Sequence, residues 1–264
     1  MSQYLKVIAC EIALREICHA VAQSANILDV EFLPQGLHDR PNKGLAEVQA
    51  RVDAVPAGKY DAILLGYALC GNLIAGLKAA HTRLVIPRAH DCITFVLGSK
   101  ERYAALSEAM PGAYFYTSGW LECLRRRGET VVPGHPAYLP LRAGASPGGG
   151  YDQWVAKYGE EKARQLMEVV SHMADHYTHG VLIDFDFTRA LRLPEQVQAV
   201  CQQRGWQFEQ VEGDLRLLQR WVDGEWDAKS FVVVEPQHQV EPDYSEDIIR
   251  VTPARQPPHP PAES

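Results

Sequence analysis

No run of apolar residues in the 264-residue chain approaches the roughly 20 needed to cross a bilayer as a helix, so a membrane-spanning protein is not expected. The amino terminus, Met1-Ser2-Gln3-Tyr4-Leu5-Lys6, has neither a basic leader region nor a small-residue cleavage site and runs straight into an apolar strand, which points to the cytoplasm. Nucleic-acid binding has little basis. The formal net charge is -7, and the only basic run, Arg125-Arg126-Arg127, is of the kind that ordinarily forms a solvated helix end. No Gly-x-Gly-x-x-Gly and no Walker sequence occurs, so nucleotide binding has no signal. The six cysteines include no Cys-x-x-Cys pair, and cytosolic thiols stay reduced, so a disulfide framework is not expected either. The cysteines are left to packing, catalysis or metal binding.

What is present is an ordinary globular composition, 46% hydrophobic and 22% charged, in a chain long enough to bury a full core. Apolar runs over 5–10, 27–33, 60–65, 83–87 and 113–116 read as strands, and helical periodicity over 11–22, 43–55 and from about 93 fills the spaces between them. Strands alternating with helices at this spacing predict an α/β protein. Its sheet should be mainly parallel, with helices on both faces and Rossmann-like strand-loop-helix units, and ligands should bind at the carboxyl ends of the strands. Residues 133–150 are rich in proline and glycine and read as a linker or mobile loop. Two lobes follow from that division: an N-terminal lobe over 1–132 and a smaller one over 151–240. The latter has a long helix over 151–177 and strands over 180–185, 206–211 and 231–234. The proline-rich stretch 241–264 reads as a disordered tail.

Three of the cysteines share one structural address. Cys10 ends the first strand, Cys70 lies in the loop after the third, and Cys92 in the loop after the fourth. A parallel sheet would bring all three to its ligand-binding edge, whereas Cys18 and Cys201 sit on apolar helix faces as core residues and Cys123 is ambiguous. Three converging thiolates can hold a [4Fe-4S] cluster with one iron left open for a substrate. Zinc is the rival, because His90-Asp91-Cys92 offers a His-x-Cys pair resembling the zinc motif of thiol-activating methyltransferases, with the partner cysteines here preceding the pair. A metal-free nucleophilic cysteine and a carrier or sensor binding corrinoid, heme or metal without turnover are further alternatives.

Other polar groups belong to the same edge: Glu11 directly after Cys10, His38 in the loop after the second strand, and Arg88, His90 and Asp91 before Cys92. Arg88 would supply a cation for a small anionic substrate, and His38, His90, Glu11 and Asp91 are candidates for proton transfer. Gly71 and Asn72 allow close backbone approach to a bound group.

Several segments are familiar together. Val7-Ile8-Ala9-Cys10-Glu11, Phe32-Leu33-Pro34-Gln35-Gly36-Leu37-His38, Leu65-Gly66-Tyr67-Ala68-Leu69-Cys70-Gly71-Asn72, Pro87-Arg88-Ala89-His90-Asp91-Cys92 and Glu212-Gly213-Asp214-Leu215 resemble a prokaryotic family known as domain-of-unknown-function family 1638. The resemblance covers roughly Leu5 to Gln237, and its most specific block is His90-Asp91-Cys92. Members of that family are often found beside corrinoid-dependent methyltransferase systems. The resemblance therefore implies a setting in one-carbon or methyl-transfer metabolism, with a corrinoid protein as a partner.

Overall fold

A computed structural model describes residues 2–126, 155–156, 158–165 and 176–254. Its larger sheet is built from β1 (Tyr4–Cys10), β2 (Ile27–Leu33), β3 (Ala62–Gly66), β4 (Leu84–Pro87) and β8 (Phe231–Val234), in the order β2-β1-β3-β4-β8. The first four strands are parallel, and β8 runs antiparallel to β4. Every residue of β3 and β4 is buried, as expected for parallel strands covered on both faces. The pleat divides their side chains cleanly. Leu5, Val7, Ala9, Leu64 and Val85 face helix α1 (Leu14–Gln23) and the helix over Arg216–Asp223, here α7, whose Trp221 indole N–H donates to Val85 O at 3.1 Å. Ile8, Ile63, Leu65, Leu84 and Ile86 face the other way, against Val48 and Val52 of α2 (Pro41–Asp53).

A second, wholly parallel sheet has the order β5-β6-β7, from Ala113–Tyr116, His179–Asp184 and Gln207–Glu212. Helix α5 (Ser118–Arg126) leaves β5, and α6 (Leu193–Arg204) connects β6 to β7. Helix α3 (Ile93–Leu97) leaves the first sheet after β4 and packs Ile93, Val96 and Leu97 against Phe115, Val181 and Ile183 of the second, with α4 (Lys100–Ala109) following it.

Sheet membership departs from the division drawn at 133–150. The strand at 113–116 pairs with β6 rather than β4, and the strand at 231–234 crosses back to close the edge beside β4. Local periodicity identifies a strand without naming its neighbour. The stretch 241–254 is not a disordered tail: β9 (His238–Pro242) and β10 (Ile249–Pro253) form an antiparallel pair. Val240, Ile248 and Ile249 are buried there against the α2 side of the core, and both prolines stand at strand ends, where they interrupt no ladder. The linker 133–150, most of the helix read at 151–177, and 255–264 lie outside the described residues. No helix among the described residues is long and apolar enough to cross a membrane.

Candidate functional site

The carboxyl ends of β1, β3 and β4 surround a cavity of about 290 Å³. Close packing of β1 on β3 shapes one side of it. At Gly66, which pairs with Ala9, an added Cβ would lie 2.5 Å from the Ala9 Cβ and 3.1 Å from the Trp221 ring, so only glycine lets the end of β3 approach β1. The chain then leaves β3 through Tyr67, Ala68 and Leu69 to Cys70, all buried or half-buried.

Two backbone hydrogen bonds carry the β3–β4 pairing past the strand ends: Leu69 N–H to Ala89 O at 3.0 Å and Cys70 N–H to His90 O at 2.8 Å. They hold the two exit loops side by side, with Cys70 next to the segment that ends at Cys92. Cys70, Gly71 and Asn72 have φ angles of 46°, 63° and 71°, three consecutive left-handed residues. Glycine takes this conformation without penalty and asparagine tolerates it, but for Cys70 it stores strain of about 1–3 kcal/mol. Strain of this size persists where the surrounding structure enforces it, and here it fixes a thiol at a cavity wall.

Cys10, Cys70 and Cys92 all line the cavity, together with His38, His90, Asp91 and Gly71. The structure thus brings together seven residues that the sequence nominates. Burial pushes the Cys10 and Cys70 thiols up to about 12, opposed in part by the backbone N–H groups of Ile12 and Ala68 respectively. Cys92 is raised too, first by burial and then by the negative charge that Cys70, Asp91 and Cys10 would carry. Burial thus favours the neutral thiol at all three positions. A nucleophilic cysteine is favoured by a depressed thiol pKa, and burial shifts these thiols the opposite way. Among the described residues, no group of three histidine, cysteine, aspartate or glutamate side chains is arranged so as to hold a metal ion.

The remaining nominated residues act elsewhere. Arg88 does not line the cavity. Its guanidinium turns toward the edge of the sheet and donates to the carbonyls of Ala228 at 2.9 Å, Phe231 at 3.3 Å, Asp247 at 2.8 Å and Ile249 at 2.5 Å. It clamps β8 and β10, which removes it as the cation for an anionic substrate. Glu11 Oε1 accepts the Gln35 N–H at 3.0 Å and so holds the loop after β2, while Asn72 stays off the cavity wall. Asp91, although at the wall, has both oxygens engaged: Oδ1 accepts the Ile93 N–H at 3.0 Å and Oδ2 the Tyr103 hydroxyl at 2.9 Å. Burial nonetheless raises its pKa. Cys201 is buried on α6 as expected, but Cys18 is exposed on α1 rather than in the core. Cys123 is buried on α5, close enough to Cys10 to contribute to its raised pKa.

Nine of the sixteen wall residues were not nominated from the sequence, Tyr67, Ile12 and Phe95 among them. Tyr67 sits in the turn between Gly66 and Cys70, where a hydroxyl in an otherwise apolar stretch was the available signal. Ile12 and Phe95 line the cavity from the turn after β1 and from α3, and nothing local distinguishes them from core residues. Trp120, delivered by the start of α5, is also part of the wall.

Comparison with known families finds a match over residues 32–222 to the family described as "Protein of unknown function (DUF1638)". No curated protein and no solved structure matches the chain. The chain belongs to that family, and the matched stretch holds Cys70 and Cys92, with Cys10 preceding it.

Proposed function

We propose that this protein is a metal-dependent enzyme acting on a small molecule bound at the carboxyl ends of β1, β3 and β4, with Cys10, Cys70 and Cys92 holding a [4Fe-4S] cluster that leaves one iron open. One observation carries this reading: thiols from three separate strand ends line a single cavity, although they are 60 and 22 positions apart in the chain. Chance packing does not require that coincidence.

The donor set fits a soft metal, since three thiols with one carboxylate already engaged in capping suit iron-sulfur or zinc better than magnesium or calcium. The thiols do not form a ligating array as they stand. Metal binding is coupled to thiol deprotonation and to the ordering of its ligands, and neutral buried thiols lack that pull. When bound, the cluster supplies a Lewis-acidic iron for the substrate. The chain contributes the rest. Ile12, Leu37, Leu73, Phe95 and Trp120 exclude water, Gly71 leaves open space for close approach, and His38 and His90 bring imidazoles suited to moving a proton at the cavity. The setting is cytoplasmic one-carbon or methyl-transfer metabolism, with a corrinoid protein as partner, as the family resemblance implies. Six free cysteines suit a reducing compartment.

His90 at the same wall supports a second reading, in which zinc is held by His90, Cys92 and further thiols. Elemental analysis and an absorption spectrum of anaerobically purified protein test both. Iron with acid-labile sulfide and a brown chromophore is expected, stoichiometric colourless zinc would favour the second reading, and protein fully active without either metal refutes both.

A further inference from the structure

We propose that the cavity takes an uncharged small molecule bearing a hydrogen-bond acceptor, and that the Tyr67 hydroxyl is the donor that holds it. The inference rests on the cavity being a small-molecule site, and it deepens that reading by naming the substrate class.

Tyr67 is 2% exposed, lines the cavity, and its hydroxyl has no hydrogen-bond partner in the structure. A buried hydroxyl left unpaired is destabilising, so its presence calls for a partner that arrives with the ligand. Phenylalanine would fill the same space without that penalty. A phenol keeps its proton at neutral pH, so the hydroxyl remains a donor.

Charge narrows the ligand further. Neither lysine nor arginine lines the cavity, the nearest nominated cation, Arg88, is committed to four backbone carbonyls, and the wall carries Asp91 and three thiols. An anion entering here would lose its hydration without gaining a permanently charged partner, since the nitrogen bases at the wall are the imidazoles of His38 and His90. A cation would find one carboxylate, Asp91, whose two oxygens already accept hydrogen bonds from Ile93 and Tyr103 that offset its charge in part. An uncharged molecule with an apolar body meets largely apolar walls and, in the Tyr67 hydroxyl, a buried unpaired donor, the usual composition of a small-ligand site.

The test uses full-length protein as purified, with metal content measured on the same batch, and two probes of similar size. These are N,N-dimethylacetamide, which is neutral and only accepts hydrogen bonds, and acetate, its charged counterpart. Binding is followed by NMR titration for the wild type and Tyr67→Phe. The amide is expected to bind the wild type roughly tenfold more tightly than the variant, the range of one net hydrogen bond, and acetate should not compete with it. Tyr67→Phe should unfold at the same temperature as the wild type or higher in the absence of probe. Equal binding to both proteins, acetate binding as well as the amide, no binding of the amide, or a lower unfolding temperature for Tyr67→Phe would each overturn the inference. Wild type lacking metal but binding the amide would overturn the cluster and leave this inference standing. Metal-loaded protein indifferent to Tyr67→Phe would do the reverse.

Discussion

Glu16 on α1 is completely buried, and its carboxyl fastens the helix that walls the cavity. Oε1 accepts the hydroxyl of Ser118, the first residue of α5, at 2.9 Å, while Oε2 has no partner. Burial pushes this carboxyl from its ordinary 4.5 up to about 7, with the Ser118 hydrogen bond and the Arg15 charge opposing. Because the folded state holds the proton more tightly than the unfolded state, this group's contribution is fully present below pH 4.5 and is lost as pH rises through about 7. At about 1.36 kcal/mol per pH unit, the interval amounts to about 3 kcal/mol. Glu16→Gln keeps an acceptor for Ser118 and cannot ionise. Urea unfolding of both proteins at pH 4.5, 6 and 8 should therefore give a difference near zero at the lowest pH. That difference should grow to about 3 kcal/mol in favour of the variant by pH 8, or roughly 6–12 °C in Tm. Parallel stability curves, with no pH-dependent gap between the two proteins, would refute the assignment of Glu16 as a buried, strained acid.

Serine at Cys10, Cys70 or Cys92 is expected to abolish metal loading while Cys18→Ser retains it, as read by elemental analysis; the opposite ordering would mean that the wrong cysteines carry the site. Arg88→Ala should lower unfolding stability by about 2–4 kcal/mol through loss of its clamp on β8 and β10, with amide binding unchanged. Weakened binding at unchanged Tm would contradict its outward orientation. Gly119→Ala would place a Cβ 1.8 Å from the Ile12 carbonyl oxygen and so force α5 off the turn after β1. Destabilisation of about 1–3 kcal/mol and altered tryptophan fluorescence from the displaced Trp120 are expected, and a variant indistinguishable by both measures would show that this contact is not tight.

The strands of the larger sheet were legible because their information is local. Val7-Ile8-Ala9, Ile63-Leu64-Leu65 and Leu84-Val85-Ile86 are apolar on both pleat faces, and such runs are stable only when covered twice. Cys10, Cys70 and Cys92 were legible as a group for the same reason: each follows a recognisable strand, and parallel strands deliver their ends to one edge. His38, His90 and Asp91 came with those loops.

Partnership at a distance was decided only by the tertiary structure. The pairing of β8 with β4, and of β5 with β6, depends on pieces of chain that no local pattern connects. Arg88 looked like a ligand-binding cation because its loop reaches the cavity edge, yet its carbonyl partners come from residues 140 to 161 positions away. The proline-rich stretch beyond Pro242 looked unable to bury itself, until the exposed α2-side face of the sheet supplied a surface for Ile248 and Ile249. Tyr67 was hidden by the same rule: whether a buried hydroxyl is paired is a property of everything around it, and its own sequence neighbours carry no trace of the answer.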